Sequence, residues 1–361
     1  MSQSSNQRSS RFGFVVHPLS APQRALLGIR TLDPPLAFLG RTKRTPARKI
    51  ATLEMTSYMD DHVDGLLASI TELPDGLLSE QAAGVESIVQ AVNLCQEAGA
   101  QVVGLGAVAA MIGGQGKSVA ASVNVPITTG NATTTIAACE TVELLLSRLG
   151  RRRRLCLLGP PGPVANGIMQ LLVNRGHTLR VVAPNIPKPL QRAADTLNEQ
   201  GYGEVSFIDS VQDALGPENL LVAASSTGGR LRLSELPAQS VVIDVAEPLD
   251  VTRDCSRRRD VLVLEGEYLR TPRPLKGGFW RHVYGVITAQ RRHIFACFAE
   301  PIVIALSGRT DLCTVGRKVP PEVIHDLSSL LSRYGFWVDT LFEAGSKVRT
   351  RRLKRFRDPV A

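Results

Sequence analysis

Residues 155–165, Leu-Cys-Leu-Leu-Gly-Pro-Pro-Gly-Pro-Val-Ala, constrain this chain more than any other stretch. An apolar run suited to a buried strand passes straight into two spaced glycines and then into a proline tolerated in the first turn of a helix. The pattern reads as strand, tight turn and helix. Gly159 permits the sharp turn, Gly162 lets backbone approach a pyrophosphate, and Ala165 is small enough for close helix–strand packing. Pro163 opens the helix, whose N-terminal N–H groups and dipole then face the diphosphate; the alternative is an ordinary turn rich in Gly and Pro.

The flanking sequence repeats the strand–helix alternation. Before the loop come a helix over Leu77–Ala98 ended by Gly99, a strand over Gln101–Gly106, a short strand over Ser122–Ile127 and a helix over 132–149. After it come a helix over 163–175 and strands at Thr178–Ala183, Val205–Ile208, Leu220–Ala224, Val241–Val245 and Val261–Leu264. Residues 279–308 and 320–342 read as helices, and Phe12–Val16 as a strand. Strands separated by helices require crossover connections and a parallel sheet. The expected class is α/β, with a central Rossmann-like parallel sheet domain, an N-terminal α/β substrate domain and C-terminal helices. The expected division is a disordered tail over 1–10, the substrate domain over 11–150, the nucleotide-binding domain over 151–270, a helical segment carrying Cys297 over 271–345, and a basic tail over 346–361.

The run after the second strand of this domain, Pro184-Asn185, has no carboxylate for ribose hydroxyls, and Lys188 and Arg192 lie close by. That favours a 2′-phosphate and therefore NADPH, with Lys188 as a contact. Gly113-Gly114-Gln115-Gly116-Lys117-Ser118 ends like an ATP-binding P-loop, but Met111 stands where that motif needs its first glycine.

The net charge of +9 invites a nucleic-acid reading. Its distribution argues otherwise. Residues 1–50 carry +8, residues 347–361 carry +6 and Arg151–Arg154 carry +4, which leaves −9 for the rest. Phe356 is the one aromatic residue within the basic runs 151–154 and 347–361, too little for a stacking platform, so nucleic acid is not expected as a partner. The six cysteines are scattered without CxxC spacing, which argues against structural zinc and a disulfide scaffold; no metal is expected. There is no apolar run of roughly 18 residues to span a membrane and no signal-peptide pattern. The expected location is cytoplasmic, with a peripheral contact between the basic tail and a membrane edge.

His293, Cys297 and Glu300 fall at i, i+4 and i+7, which on a helix is one face. A thiol beside a base or a helix terminus becomes a nucleophile, and a carboxyl group can orient that base or deliver a proton. These three are the candidate catalytic residues. The competing reading is a buried helix whose Cys packs like Ala and whose Glu has one partner. Thr128, Thr129 and Asn131, on a loop after a short strand, are candidate oxyanion donors or cofactor contacts, or alternatively the cap of the next helix.

Several segments in order resemble the cyanobacterial-type long-chain acyl-[acyl-carrier-protein] reductases, which form fatty aldehydes. They are Phe12–His17, Gly104-Leu105-Gly106, Thr128-Thr129-Gly130-Asn131 with Thr134, Gly159–Gly162, Ile294–Glu300, and Gly316-Arg317 with Gly335-Phe336. The resemblance spans about residues 11 to 340. It implies a three-part α/β protein with a central NADPH-binding domain, reducing an acyl thioester to an aldehyde through an acyl-cysteine at Cys297. It also implies acyl carrier protein or acyl-CoA as partner, steered by basic surface that includes Arg151–Arg154. The alternatives are a shikimate-dehydrogenase-like alcohol or ketone oxidoreductase and a non-catalytic carrier-protein-binding protein.

Overall fold

The computed structural model describes residues 10–18, 47–149, 153–252, 258–277 and 292–357. The chain divides into two compact units. One comprises residues 1–130, 271–316 and 329–336; the other comprises 131–270, 317–328 and 337–361.

The first unit holds β1 (Ser10–Val16), β2 (Arg48–Thr56), β3 (His62–Ser69), β4 (Val102–Leu105) and β5 (Ile127–Thr128). They lie in the order β2-β3-β1-β4-β5, and all neighbours are parallel except β2, which runs antiparallel to β3. Helix α1 (Gln81–Glu97) is the crossover between β3 and β4. The two-residue alternation of β1 sorts its side chains to opposite faces. Val15 packs with Ile88, Ala91, Val92 and Cys95 of α1. Phe12 and Phe14 point to the other face and meet Phe298 edge-on, with ring centroids 5.6 and 4.7 Å apart. Phe298 is 1 % exposed, and burying a side chain of this size contributes roughly 1.5–3 kcal/mol.

The second unit begins with α2 (Asn131–Leu149) and continues through β6 (Arg154–Leu158), α3 (Pro163–Asn174), β7 (Thr178–Val182), α4 (Lys188–Gln200), β8 (Glu204–Ile208), β9 (Asn219–Ala223), β10 (Val241–Asp244) and β11 (Leu262–Glu265). These six strands are parallel, in the order β8-β7-β6-β9-β10-β11. That is the 3-2-1-4-5-6 order of a Rossmann sheet. A hairpin of β12 (Phe342–Glu343) and β13 (Ser346–Lys347) adds antiparallel to β11. The strands are near-continuous apolar runs because both faces are covered. Leu155 and Leu157 of β6 pack with Ile168, Met169 and Leu172 of α3. Leu190, Ala194 and Leu197 give α4 one buried stripe.

The α/β class and the Rossmann-like sheet are as expected from the sequence; several elements differ. Residues 293–295 are a strand, and helix α5 (Ala296–Ser307) starts only after it. The rest of the helix expected over 279–308, up to residue 291, lies outside the described residues. The helix expected over 320–342 is α6 (Pro321–Tyr334). It stops at Gly335, whose φ of +87° lets the Phe336 N–H reach back to the Leu331 carbonyl at 2.8 Å. Of the strand expected over 122–127, only its last residue is extended, in β5.

The basic segments also sort differently. Residues 350–356 form two helical turns whose Leu353 and Phe356 are 3 % and 1 % exposed in the core, so this stretch is docked rather than a loose tail. Arg153 is buried and donates to the carbonyls of Asn219 (3.2 Å) and Phe356 (2.8 Å). It is a structural tie, not a surface charge for steering a partner. No described helix is long and apolar enough to cross a membrane.

Candidate functional site

The first unit builds its site where β5 ends and α5 begins. Phe295 is extended at the N-cap, and Cys297 is the second residue of α5. A thiol there lies in the positive field of the helix N-terminus, which favours a thiolate. Pro301 has no N–H to give the Cys297 carbonyl four residues earlier, so the first turn is released from the regular ladder. Against this turn lies Gly130, with φ +75°. A Cβ on Gly130 would stand 2.3 Å from Cβ and 2.5 Å from Cα of Cys297. Only glycine fits between the β5 loop and the cysteine.

Glu300 fixes this approach. It is completely buried, and its Oε1 accepts the Gly130 N–H at 3.2 Å and the Thr128 hydroxyl. Thr128 Oγ1 in turn accepts the Thr314 N–H at 3.2 Å, and the Thr129 hydroxyl donates to the Thr314 carbonyl at 3.1 Å. Both threonine hydroxyls are therefore engaged inside the first unit and hold the loop, rather than being offered to a cofactor. Glu300 thus ties the Thr128–Gly130 loop to α5. His293 is not on the helix: it sits in the preceding strand and is buried. The one-face spacing of His293 with Cys297 and Glu300 therefore fails, because the i, i+4 relation holds only within a helix. His17 is also buried; its Nε2 accepts the Val108 N–H at 3.2 Å, which leaves the ring proton on Nδ1, 3.2 Å from the Pro18 carbonyl. Burial pushes its pKa down, so it is a neutral structural tie.

Burial raises the thiols of the other described cysteines. Burial pushes the thiols of Cys95 and Cys139 up to about 12 and raises that of Cys156. Cys313 is half-buried, and burial with nearby Glu300 and Asp311 pushes it up to about 12. Cys255 lies outside the described residues.

In the second unit the glycine loop occupies the expected place. It joins β6 to α3 at the carboxyl edge of the sheet, where the strand order reverses between β6 and β9. Gly159 has φ +129°, and a Cβ there would lie 2.3 Å from the Ala224 carbonyl oxygen after β9. Gly162 is the N-cap, Pro163 opens α3 and Ala165 is fully buried against the sheet. Lys188 is the exposed first residue of α4. Asn131 begins α2, and its buried Nδ2 has no partner among the described residues.

The sequence reading overlooked an acidic group at the same edge. Asp244 ends β10 and accepts the N–H groups of Ala246, Asp250 and Val251 at 3.1, 3.2 and 2.8 Å. Asp250 accepts the N–H of Ser225 at 2.9 Å and its hydroxyl. A signal was present for Asp244, which directly follows the apolar run Val241–Ile243. Burial pushes Asp244 up to about 6. Burial first, and Asp244 second, push Glu247 up to about 7. Among the described residues no group of three or more metal-ligating side chains is arranged to hold a metal ion.

A pH dependence follows. The native state holds the Glu247 proton more tightly than the unfolded chain does, so this contribution is complete below the unfolded value and is lost as pH rises through about 7. Glu247→Gln removes the loss. The variant's gain over the parent should be small at pH 4.5 and reach about 3 kcal/mol at pH 8. Urea unfolding at the two pH values measures it; an equal difference at both would refute the assignment.

No protein-family model matches the chain. Aminotransferase PigE of Serratia sp. (strain ATCC 39006) is 26% identical over 368 aligned positions, covering 96% of this chain and 42% of that protein. The chain thus spans less than half the length of that relative. Among solved structures, an NAD-dependent malic enzyme of Thermotoga maritima aligns with 91% of this chain and 85% of its own, at 12% identity and a TM-score of 0.36. An anabolic ornithine carbamoyltransferase of Campylobacter jejuni aligns with 70% of this chain and 78% of its own, at 10% identity and a TM-score of 0.36. Likenesses this distant say nothing about chemistry.

The aminotransferase match overturns the resemblance to acyl-[acyl-carrier-protein] reductases, and with it the thioester-reducing activity and the NADPH requirement. Aminotransferases commonly use pyridoxal phosphate, held as an imine on a lysine drawn out of water. Every described lysine is exposed, and Lys43 lies outside the described residues. The described residues do not fit that group.

Proposed function

We propose that this chain is an enzyme that works by covalent catalysis at Cys297, whose thiol attacks an electrophilic carbonyl carbon of its substrate. The observation that carries this reading is the seat of Cys297: half-buried, in the first turn of α5, and clasped by Gly130. A buried structural cysteine needs neither the helix terminus nor a glycine pressed against it. Glu300, Thr128 and Thr314 act through Gly130 by holding the loop against that turn. The carboxyl edge of the second unit, with Gly159, Gly162 and the first turn of α3, is proposed to take a phosphate group of a ligand.

Limiting iodoacetamide at pH 7, followed by peptide mapping, tests the first reading. Cys297 is expected to be carbamidomethylated first, well ahead of Cys95, Cys139, Cys156 and Cys313. Cys297→Ser should then abolish the fast phase and leave the slow one. Preferential labelling of Cys313, or no fast phase in the parent, would overturn the reading.

A further inference from the structure

A concave surface in the second unit lies away from the glycine loop, at the hairpin edge of the sheet. It is a groove of about 590 Å3 between the β12–β13 hairpin, residues 349–355 and the stretch around 258–263. Its walls are fixed. Arg352 pairs with Glu343 (2.8 Å) and donates to the Arg259 carbonyl (2.5 Å) and to that of Val261, tying the three pieces together. Arg258 pairs with Asp260 at 2.7 Å and donates to the carbonyls of Ser234 and Leu236, both at 2.9 Å. Beneath, Leu353 and Phe356 anchor the 350–356 turns in the core.

Five further cations line the same groove: Arg259, Lys347, Arg349, Arg351 and Arg355. None of them forms a salt bridge among the described residues. Glu343 is the one carboxylate in the lining, and Arg352 engages it. Gathering so many like charges in a rigid concavity costs self-repulsion that a bound anion relieves. Four of the five are arginines, whose planar forks match phosphate oxygens in pairs. The volume falls within the roughly 300–1,000 Å3 of small-molecule sites. No aromatic side chain lines it, so it offers no stacking platform for single-stranded nucleic acid.

We propose that this groove binds a small molecule carrying several phosphates. It lies four strands from β6 in the sheet order and is independent of the Cys297 reading.

The test uses the full chain and sodium tripolyphosphate, titrated by calorimetry at constant ionic strength. Saturable binding is expected, including a groove site separate from any weaker phosphate binding at the glycine loop. Arg351→Ser combined with Arg355→Ser should weaken the groove site by about a hundredfold, roughly tenfold for each lost phosphate contact. Lys318→Ser, at an exposed position outside the groove, should leave the groove site unchanged. Circular dichroism of the double variant, whose two positions are exposed, checks that the fold is kept. Absence of tripolyphosphate binding, or equal binding by parent and double variant, would overturn the proposal. So would retention on phosphatidylglycerol vesicles that excess tripolyphosphate does not release, which would assign the groove to a membrane surface.

Discussion

Gly130→Ala is expected to lose about 3 kcal/mol of stability in urea unfolding, and to slow alkylation of Cys297 in whatever fraction stays folded. Two costs add. The residue sits at φ +75°, where an alanine pays roughly 1–2 kcal/mol. The new methyl would then stand 2.3 Å from Cβ and 2.5 Å from Cα of Cys297, and 3.0 Å from its carbonyl oxygen. Forcing an extra carbon into a packed site costs roughly 1–3 kcal/mol. The obstacles are the base of a side chain and a backbone, so no rotamer change relieves them. Gly201→Ala is the control: its φ is +73°, but a Cβ there meets nothing within 4 Å. It should cost only the backbone part. If the two substitutions cost the same, Gly130 is a turn glycine and the clasp on Cys297 does not exist.

The second unit was readable in the sequence because its strands are buried on both faces. Leu155–Leu158, Leu220–Ala223 and Val241–Ile243 are unbroken apolar runs, each followed by a marked turn. In the first unit, β2 and β3 escaped notice. Arg48, Lys49 and Glu54 dilute β2, and Asp64 interrupts β3, because this end of the sheet has an exposed side. His293-Ile294-Phe295 could be read as either strand or helix, since a three-residue apolar run has no period of its own. The spacing of Cys297 with His293 and Glu300 did not by itself separate a nucleophile from a packed cysteine, and the strand at His293 breaks that spacing. Gly130 could not be singled out, because its meaning depends on a contact with a helix about 170 residues further along the chain, an approach that Glu300 holds. For the same reason Thr128 and Thr129 looked available to a ligand, although the fold engages both hydroxyls with Glu300 and Thr314.

Glu300 separates positioning from proton transfer. Glu300→Ala leaves the Thr128 hydroxyl and the Gly130 N–H without this acceptor in a dry site. Each such orphan costs roughly 1–3 kcal/mol, so a loss of about 4 kcal/mol is expected, together with slower labelling of Cys297 as the loop moves off α5. Glu300→Gln keeps an oxygen of the same reach, able to accept from both donors. It should lose only about 1 kcal/mol and label Cys297 at close to the parental rate, with an unaltered pH profile. That rescue distinguishes the two roles. A carboxylate that exchanges protons with the thiol cannot be replaced by an amide, whereas one that fixes Gly130 against the first turn of α5 can. Should the amide variant label as slowly as the alanine variant while remaining stable, the charge of Glu300 itself would be acting on Cys297, and its place as a positioning residue would be lost.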